Sequence, residues 1–154
     1  MKLIEIITKS LVFPILTETQ KAPVLRTMVQ GVAKEFPELK EEELFSVVMD
    51  REKLSSTGIG SGIAIPHAKL QECPRHIVVF GRSKIGIPFD AIDEKPVHLV
   101  FLILGPATAN EMHLKILARI SKFLHDTNFR DRLLTASDVE DIYGVIEEKD
   151  AQHA

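Results

Sequence analysis

The sequence predicts an α/β domain in which a mixed parallel and antiparallel β-sheet is flanked by helices. Some segments carry apolar residues at helical spacing, others are apolar runs of strand length, and the two kinds are interleaved along the chain. The 154 residues suffice for one domain with a single hydrophobic core. We expect this domain to span residues 1–148 and a polar, frayed tail to occupy residues 149–154.

Composition and charge narrow the class of protein. The chain is 45% hydrophobic and 27% charged, as is typical of globular proteins. Its formal net charge of −3 and its lack of a basic cluster argue against a nucleic-acid partner. No segment resembles a signal sequence or approaches the ~18 consecutive apolar residues of a membrane span. The single cysteine, Cys73, precludes an internal disulfide. We therefore expect a cytoplasmic protein without membrane insertion.

The first predicted strand covers residues 11–16. Pro14 assigns this strand to a sheet edge, because proline cannot donate a ladder hydrogen bond. Thr17 and Gln20 have the spacing of a capping box for the helix that follows, and Thr19 is a competing N-cap.

Two helices are predicted next. Apolar residues between 24 and 36 recur at i, i+4, which predicts a helix with one buried face that ends at Pro37. The second helix begins in the acidic residues 41–43, whose carboxylates complement the helix dipole, and ends near Arg51.

Two apolar runs predict the interior of the sheet. Residues 76–82 contain a β-branched run of strand length. Gly86 and Pro88 indicate a turn, and residues 90–96 form a polar connection. Residues 97–104 are the most apolar run in the chain and predict a central strand.

The C-terminal third predicts three helices. Thr108 and Glu111 form a second capping box, which begins a helix that ends near residue 124. Its predicted apolar face consists of Leu114, Leu117, Ile120 and Leu124. A short helix begins at Thr127, and Ser137 with Glu140 caps the last one.

A glycine-rich stretch at residues 52–68 contains the candidate site. Its alternate glycines at 58, 60 and 62 allow positive φ and close approach of the backbone to a ligand. Pro66 fixes its own φ and restricts the preceding residue to extended geometry. His67 therefore leaves a strand end in a predetermined direction, which indicates a site that presents one imidazole accurately.

An imidazole that is unprotonated near neutral pH can accept a phosphoryl group as a covalent intermediate. Phosphoryl transfer requires positioning and stabilisation of the charged oxygens. Arg51 can supply charge-assisted hydrogen bonds, and His113, at the start of a helix, is the candidate second histidine. Glycine-rich backbone can bind an anion, and the serine and threonine hydroxyls of residues 55–57 are further candidates. The predicted phosphate-binding loop comprises Thr57, Gly58, Gly60 and Gly62.

The residues around His67 resemble the active-site signature of enzyme IIA proteins of the fructose–mannitol class. These belong to the bacterial phosphoenolpyruvate-dependent phosphotransferase system. The signature residues are Glu52, Ile59, Gly60, Ile63, Ala64, Ile65, Pro66, His67 and Ala68. Residues 87–93, 96–97 and 113–118 resemble the same family, and the resemblance extends from about residue 3 to residue 146.

The resemblance implies that His67 accepts a phosphoryl group from the histidine-containing phosphocarrier protein. His113 and Arg51 match the family's supporting histidine and arginine, whereas Glu52 is expected to orient Arg51 or to cap local structure. A chain without attached enzyme IIB or IIC segments is most similar to the nitrogen-regulatory subtype, which acts through phosphorylation-dependent binding to regulatory proteins. The alternative is a sugar-specific enzyme IIA that passes the phosphoryl group to a separate enzyme IIB.

A third class, a hydrolase or metalloenzyme built on His67 and His113, is also consistent with paired histidines. The histidines lack the spacing of a metal-binding pair, and no Cys-x-x-Cys accompanies them. We therefore expect neither a metal nor a cofactor. Cys73 is expected to be an idle thiol.

Overall fold

The computed structural model describes residues 1–153 and confirms the predicted α/β class. The strands are β1 (Ile7–Phe13), β2 (Gly58–Gly60), β3 (Ile63–Ala64), β4 (His67–Leu70), β5 (Ile77–Ile87) and β6 (Val97–Pro106). The helices are α1 (Lys21–Glu35), α2 (Glu41–Leu54), α3 (Asn110–Leu124), α4 (Thr127–Thr135) and α5 (Val139–Gln152). None of these helices is long and apolar enough to span a membrane.

The strands form one mixed sheet in the order β1-β5-β6-β3-β2, with β4 also paired to β6. β6 is antiparallel to β5 and parallel to β3 and β4, so the most apolar run is central, as predicted. β1 lies at an edge, parallel to β5, which confirms the edge position inferred from Pro14. It begins at Ile7 rather than at residue 11, and it ends before the proline.

The core has two layers, one on each face of the sheet. In β6, Val100, Leu102 and Leu104 pack with the apolar faces of α1 and α2. The alternate residues Leu99, Phe101 and Ile103 pack with α3, α4 and α5. Because successive side chains point to opposite faces, a strand covered on both sides is apolar throughout.

The helix starts differ from the predicted capping boxes. α1 begins after Gln20 and α3 after Ala109, and neither N-cap side chain accepts a hydrogen bond from its helix. The two capping boxes predicted there were therefore wrong. At α5 the N-cap is Asp138 rather than Ser137, and its carboxylate accepts from the Asp141 N–H at 2.9 Å. A carboxylate is favoured there because it also complements the helix dipole.

The buried face of α3 also differs from the prediction. Its buried residues are His113, Ile116, Ile120, Phe123 and Leu124. Leu114, which was expected on that face, is 65% exposed. The helix is therefore rotated so that a histidine takes a position in its buried face.

The expected frayed tail from residue 149 was wrong, because α5 continues to Gln152. The Asp150 side chain is fully buried and accepts hydrogen bonds from the backbone N–H groups of Leu3 and Ile4 at 3.0 and 2.9 Å. It also pairs with Arg119 at 2.9 Å. The residues that bind Asp150 and hold the end of α5 in place are remote in sequence. The polar composition of the tail therefore gave no indication of these contacts.

Candidate functional site

A pocket of about 390 Å³ lies where α2, β4 and the first turns of α3 meet. Its lining residues are Val47, Arg51, His67, Ala68, Lys69, His113, Leu114 and Leu117. The structure therefore brings together the three side chains that the sequence singled out on separate elements, namely Arg51, His67 and His113. Apolar side chains from α2 and α3 supply much of the remaining wall.

The backbone around Pro66 holds His67 at the start of β4. The Ile65 N–H donates to the Thr57 carbonyl at 3.0 Å, and the Pro66 carbonyl accepts from the Ile103 N–H at 2.9 Å. His67 itself pairs in parallel register with Ile103. Hydrogen bonds thus fix the chain on both sides of the proline, which cannot donate one itself.

The ring of His67 is oriented by its own backbone. Its Nδ1 lies 2.9 Å from the Ile65 carbonyl oxygen, which can only accept a hydrogen bond. Nδ1 therefore carries the proton, and Nε2 of the neutral ring retains a lone pair. Burial lowers the pKa of His67, and the nearby cations Arg51 and Lys69 lower it further, against the opposing effects of the Ile65 carbonyl and Glu52. The unprotonated, nucleophilic form is thus favoured at neutral pH.

His113 lies in the first two turns of α3 and is only 3% exposed. Its ring centroid is 5.5 Å from that of His67. Neither of its nitrogens has a hydrogen-bond partner among residues 1–153. Burial lowers the pKa of His113 to about 4, and the neighbouring His67, Lys69 and His76 contribute to the decrease. A buried imidazole without partners is costly, which makes His113 a candidate to bind an added group.

Two cations border the pocket. Arg51, near the C-terminal end of α2, donates from Nη1 to the Ser55 carbonyl at 3.0 Å, which uses one of its five N–H groups. The Lys69 ammonium donates to the Asn110 side chain at the start of α3. Sequence reasoning missed Lys69, although its i, i+2 spacing from His67 on a strand predicts a shared face. Together these charges favour an anionic ligand.

The Glu52 carboxylate pairs with Lys21 and Thr57 rather than with Arg51, and it fixes the glycine-rich stretch. Its buried carboxylate accepts from the Thr57 N–H at 3.1 Å and from the Thr57 hydroxyl. Lys21 of α1 completes the cluster with an ion pair of 2.9 Å. Of the two roles considered for Glu52, the contacts correspond to capping of local structure. The Thr57 hydroxyl is engaged by this carboxylate rather than directed to the pocket.

The predicted phosphate-binding loop is not brought to the pocket. Gly58 and Gly60 lie in β2, and Gly62 lies in the tight turn to β3. Gly60 and Gly62 have φ values of 94° and 77°, so glycine is favoured there by the hairpin alone. A Cβ at Gly58 would lie 2.8 Å from the Cβ of Ala91, so this glycine permits close packing. The sequence pattern did not distinguish a tight hairpin from an anion-binding loop.

His76 is a second buried histidine beside the site, and sequence reasoning assigned it no role. It precedes β5, is 8% exposed, and its ring centroid lies 6.0 Å from that of His113. Burial lowers the pKa of His76. No local pattern could have revealed this neighbour, because the pairing of β5 with β6 sets its position relative to α3.

Within the described part of the chain, no cluster of three or more His, Cys, Asp or Glu side chains is arranged to hold a metal ion. Cys73 is buried, and its thiol donates to the Arg75 carbonyl at 3.0 Å. Burial raises the pKa of the Cys73 thiol, so little of the reactive thiolate forms at neutral pH.

Proteins of known class resemble this chain over most of its length. The nitrogen regulatory protein of Pseudomonas aeruginosa is 40% identical over 126 residues, which are 82% of each chain. The fructose-specific EIIABC component of Bacillus subtilis is 36% identical over 150 residues, which are 97% of this chain but only 24% of that longer protein.

A solved structure of another nitrogen regulatory protein is also similar to this chain. The crystal structure of nitrogen regulatory protein IIA-Ntr from Neisseria meningitidis superimposes with a TM-score of 0.87 at 30% identity. The match covers 92% of this chain and 97% of that one. The nitrogen-regulatory resemblance predicted from the sequence is thereby confirmed.

A family model described as "Phosphoenolpyruvate-dependent sugar phosphotransferase system, EIIA 2" matches residues 5–149. This match includes every residue that lines the pocket. The chain therefore belongs to the EIIA type 2 family of the phosphoenolpyruvate-dependent sugar phosphotransferase system.

Proposed function

We propose that this protein is a cytoplasmic phosphoryl carrier that accepts a phosphoryl group from the histidine-containing phosphocarrier protein on Nε2 of His67. One observation carries the proposal. His67 donates from Nδ1 to its own backbone, which leaves Nε2 unprotonated in a pocket shared with Arg51 and His113. Membership of the EIIA family supports a phosphoryl-transfer chemistry for this site.

The transfer step requires no further reactant. The Nε2 lone pair of His67 forms a bond to phosphorus while the bond between phosphorus and the donor's histidine nitrogen breaks, and that electron pair returns to the donor ring. The phosphoryl group passes through a loose, charged transition state. Arg51 can donate hydrogen bonds to its oxygens, and a neutral His113 can donate one more.

The bound phosphoryl group changes the electrostatics of the pocket. It brings about −1.5 to −2 charges at neutral pH. A dianion beside His113 favours the protonated imidazole, so the pKa of His113 rises above its low value in the unmodified protein. His113 can then balance part of the phosphoryl charge, which stabilises the carrier between transfers.

The acceptor of the phosphoryl group distinguishes two roles. Similarity to nitrogen regulatory proteins favours a regulator whose target binding depends on the phosphorylation of His67. Similarity to a fructose-specific EIIABC protein favours the alternative, in which the group passes to a separate enzyme IIB. The exposed Leu114 and the apolar wall of the pocket offer a docking surface in either case.

A radiolabel experiment tests the proposal. The protein is incubated with ³²P-labelled phosphoenolpyruvate and the two general carrier proteins of the system, and then with candidate enzyme IIB proteins. We expect stable labelling that requires both carriers and is lost in mild acid, as phosphohistidine is. Label that stays on the protein, together with target binding that changes on phosphorylation, supports the regulatory role. Release of free phosphate from simple phosphoesters would instead support a hydrolase.

A further inference from the structure

Three imidazoles form a continuous series from the pocket into the interior. We call His67, His113 and His76 the histidine row. The ring centroids are separated by 5.5 Å between His67 and His113 and by 6.0 Å between His113 and His76. His67 and His113 line the pocket, whereas His76 is next to His113 and is not among the lining residues. The row therefore extends from the proposed phosphoryl site to the buried ring of His76, which has no role in the transfer step proposed above.

The His76 ring is packed against the backbone of β6. A Cβ at residue 105 would overlap the His76 ring, so Gly105 of β6 leaves the space that the ring occupies. Its Nε2 is buried and has no hydrogen-bond partner among residues 1–153. A buried nitrogen without a partner is energetically costly, and this penalty is removed if a partner is gained in another state.

His113 is the group that can supply this partner. Its own two nitrogens are also buried and unpartnered within the described chain. When protonated, its ring has two N–H donors that point in different directions. One can reach the phosphoryl oxygens on His67, and the other then needs an acceptor. The lone pair of a neutral His76 is such an acceptor.

We propose that His76 is a positioning residue, which accepts a hydrogen bond from His113 when His67 carries a phosphoryl group. This inference rests on the proposed function of His67. The ring centroids are 6.0 Å apart, and the two rings form no hydrogen bond in the unmodified protein. Such bonds often tighten only when the reacting group is bound. The hydrogen bond fixes the orientation of His113 and stabilises its imidazolium form.

Charges around the histidine row explain why this interaction depends on phosphorylation. His67 and Lys69 of β4, with His76, oppose protonation of His113, and Arg51 of α2 adds a further cation to the pocket. Glu111 of α3 is solvent-exposed and paired with Lys115. The incoming dianion is therefore the group that favours the imidazolium, with the proton taken from solvent.

Two variants of His76 separate hydrogen bonding from packing. His76→Leu fills most of the space with an apolar side chain, whereas His76→Gln keeps a polar acceptor. The pKa of His113 is measured by ¹⁵N NMR of the imidazoles, before and after phosphorylation. We expect His76→Leu to lower the pKa of His113 in the phosphorylated protein by about one unit, a tenfold change in protonation. The rate of phosphoryl acceptance should fall to a similar extent, and His76→Gln should restore most of both.

The outcomes discriminate between the proposals. An unchanged His113 pKa in phosphorylated His76→Leu overturns the role of His76, even if His67 is labelled normally. Equal losses in the Leu and Gln variants, accompanied by equal decreases in melting temperature, reduce His76 to a packing residue and also overturn it. Absence of label on the wild-type protein overturns the proposed function, and this inference with it.

Discussion

Two buried polar clusters lie next to the glycine-rich stretch, and they differ in whether their polar atoms are bonded. The carboxylate of Glu52 accepts hydrogen bonds from Thr57 and pairs with Lys21. His113 and the Nε2 of His76, by contrast, have no partners among the described residues. A fully bonded cluster stabilises the fold, whereas an unbonded one is completed only by an added group. On our proposal, the difference separates the structural polar residues from those that take part in phosphoryl transfer.

The largest expected effect is at His67. His67→Gln should abolish phosphoryl incorporation, because the other imidazole that lines the pocket, His113, has both of its nitrogens buried. The measurement is ³²P transfer from the phosphorylated carrier protein. His125→Gln, at an exposed position outside the pocket, is the matched control and should label normally. Undiminished labelling of the His67 variant would assign the phosphoryl group to another residue.

Removal of the bonded carboxylate should mainly affect stability. Glu52→Leu leaves a mostly buried ammonium and a buried hydroxyl without their partner, and we expect a loss of about 3 kcal/mol. Urea unfolding measures this loss. Glu140→Leu breaks an exposed ion pair with Lys9 and should leave the stability unchanged. Equal effects of the two substitutions would contradict the structural role of the Glu52 cluster.

Truncation of the unbonded histidine should mainly affect transfer. His113→Ala is expected to lower the rate of phosphoryl acceptance about 100-fold, the typical cost of removing one donor to a charged transition state. Rapid-quench measurement with the phosphorylated carrier gives this rate. His113→Ala should retain slow labelling of His67, so complete loss of labelling or an unchanged rate would each contradict a supporting role.

His113 should also make stability depend on pH. Its pKa of about 4 in the folded protein is below the ordinary 6.5, so the unfolded chain takes up the proton first as the pH falls. The free energy of unfolding should therefore decrease between about pH 6.5 and pH 4, by roughly 2–3 kcal/mol from this group. Urea unfolding across this range should show a smaller decrease for His113→Gln. Parallel curves would show that the ring of His113 is not buried in its neutral form.

Local sequence patterns predicted the parts of the fold that depend on local periodicity. The apolar run of β6 and the helical spacing of α1 were sufficient, because a buried strand and an amphipathic helix differ in their repeats. The capping-box motifs near α1 and α3 did not predict the starts of these helices. The helices begin after Gln20 and Ala109, and neither of these side chains caps its helix. The end of α5 depends on hydrogen bonds from Asp150 to Leu3 and Ile4, which no local pattern contains.

The candidate-site residues that lie close together in sequence were predictable, whereas several contacts made by the fold were not. His67 follows from the proline-framed strand and the family signature, and Arg51 is close to both in sequence. The fold was needed to reveal that Glu52 binds Lys21 and that His76 lies next to His113. It was also needed to separate the glycine hairpin from the pocket, because glycine serves turns and anion sites through the same backbone freedom.

The central claim is that phosphorus is carried on Nε2 of His67. The most direct test is NMR of the ¹⁵N-labelled, phosphorylated protein at alkaline pH, where phosphohistidine persists, with tandem mass spectrometry to identify the modified residue. The account predicts one phosphorylated imidazole, at residue 67, with the ¹⁵N–³¹P coupling at Nε2 and the proton retained on Nδ1. Phosphorus on any other residue, or on Nδ1 of this ring, would contradict it.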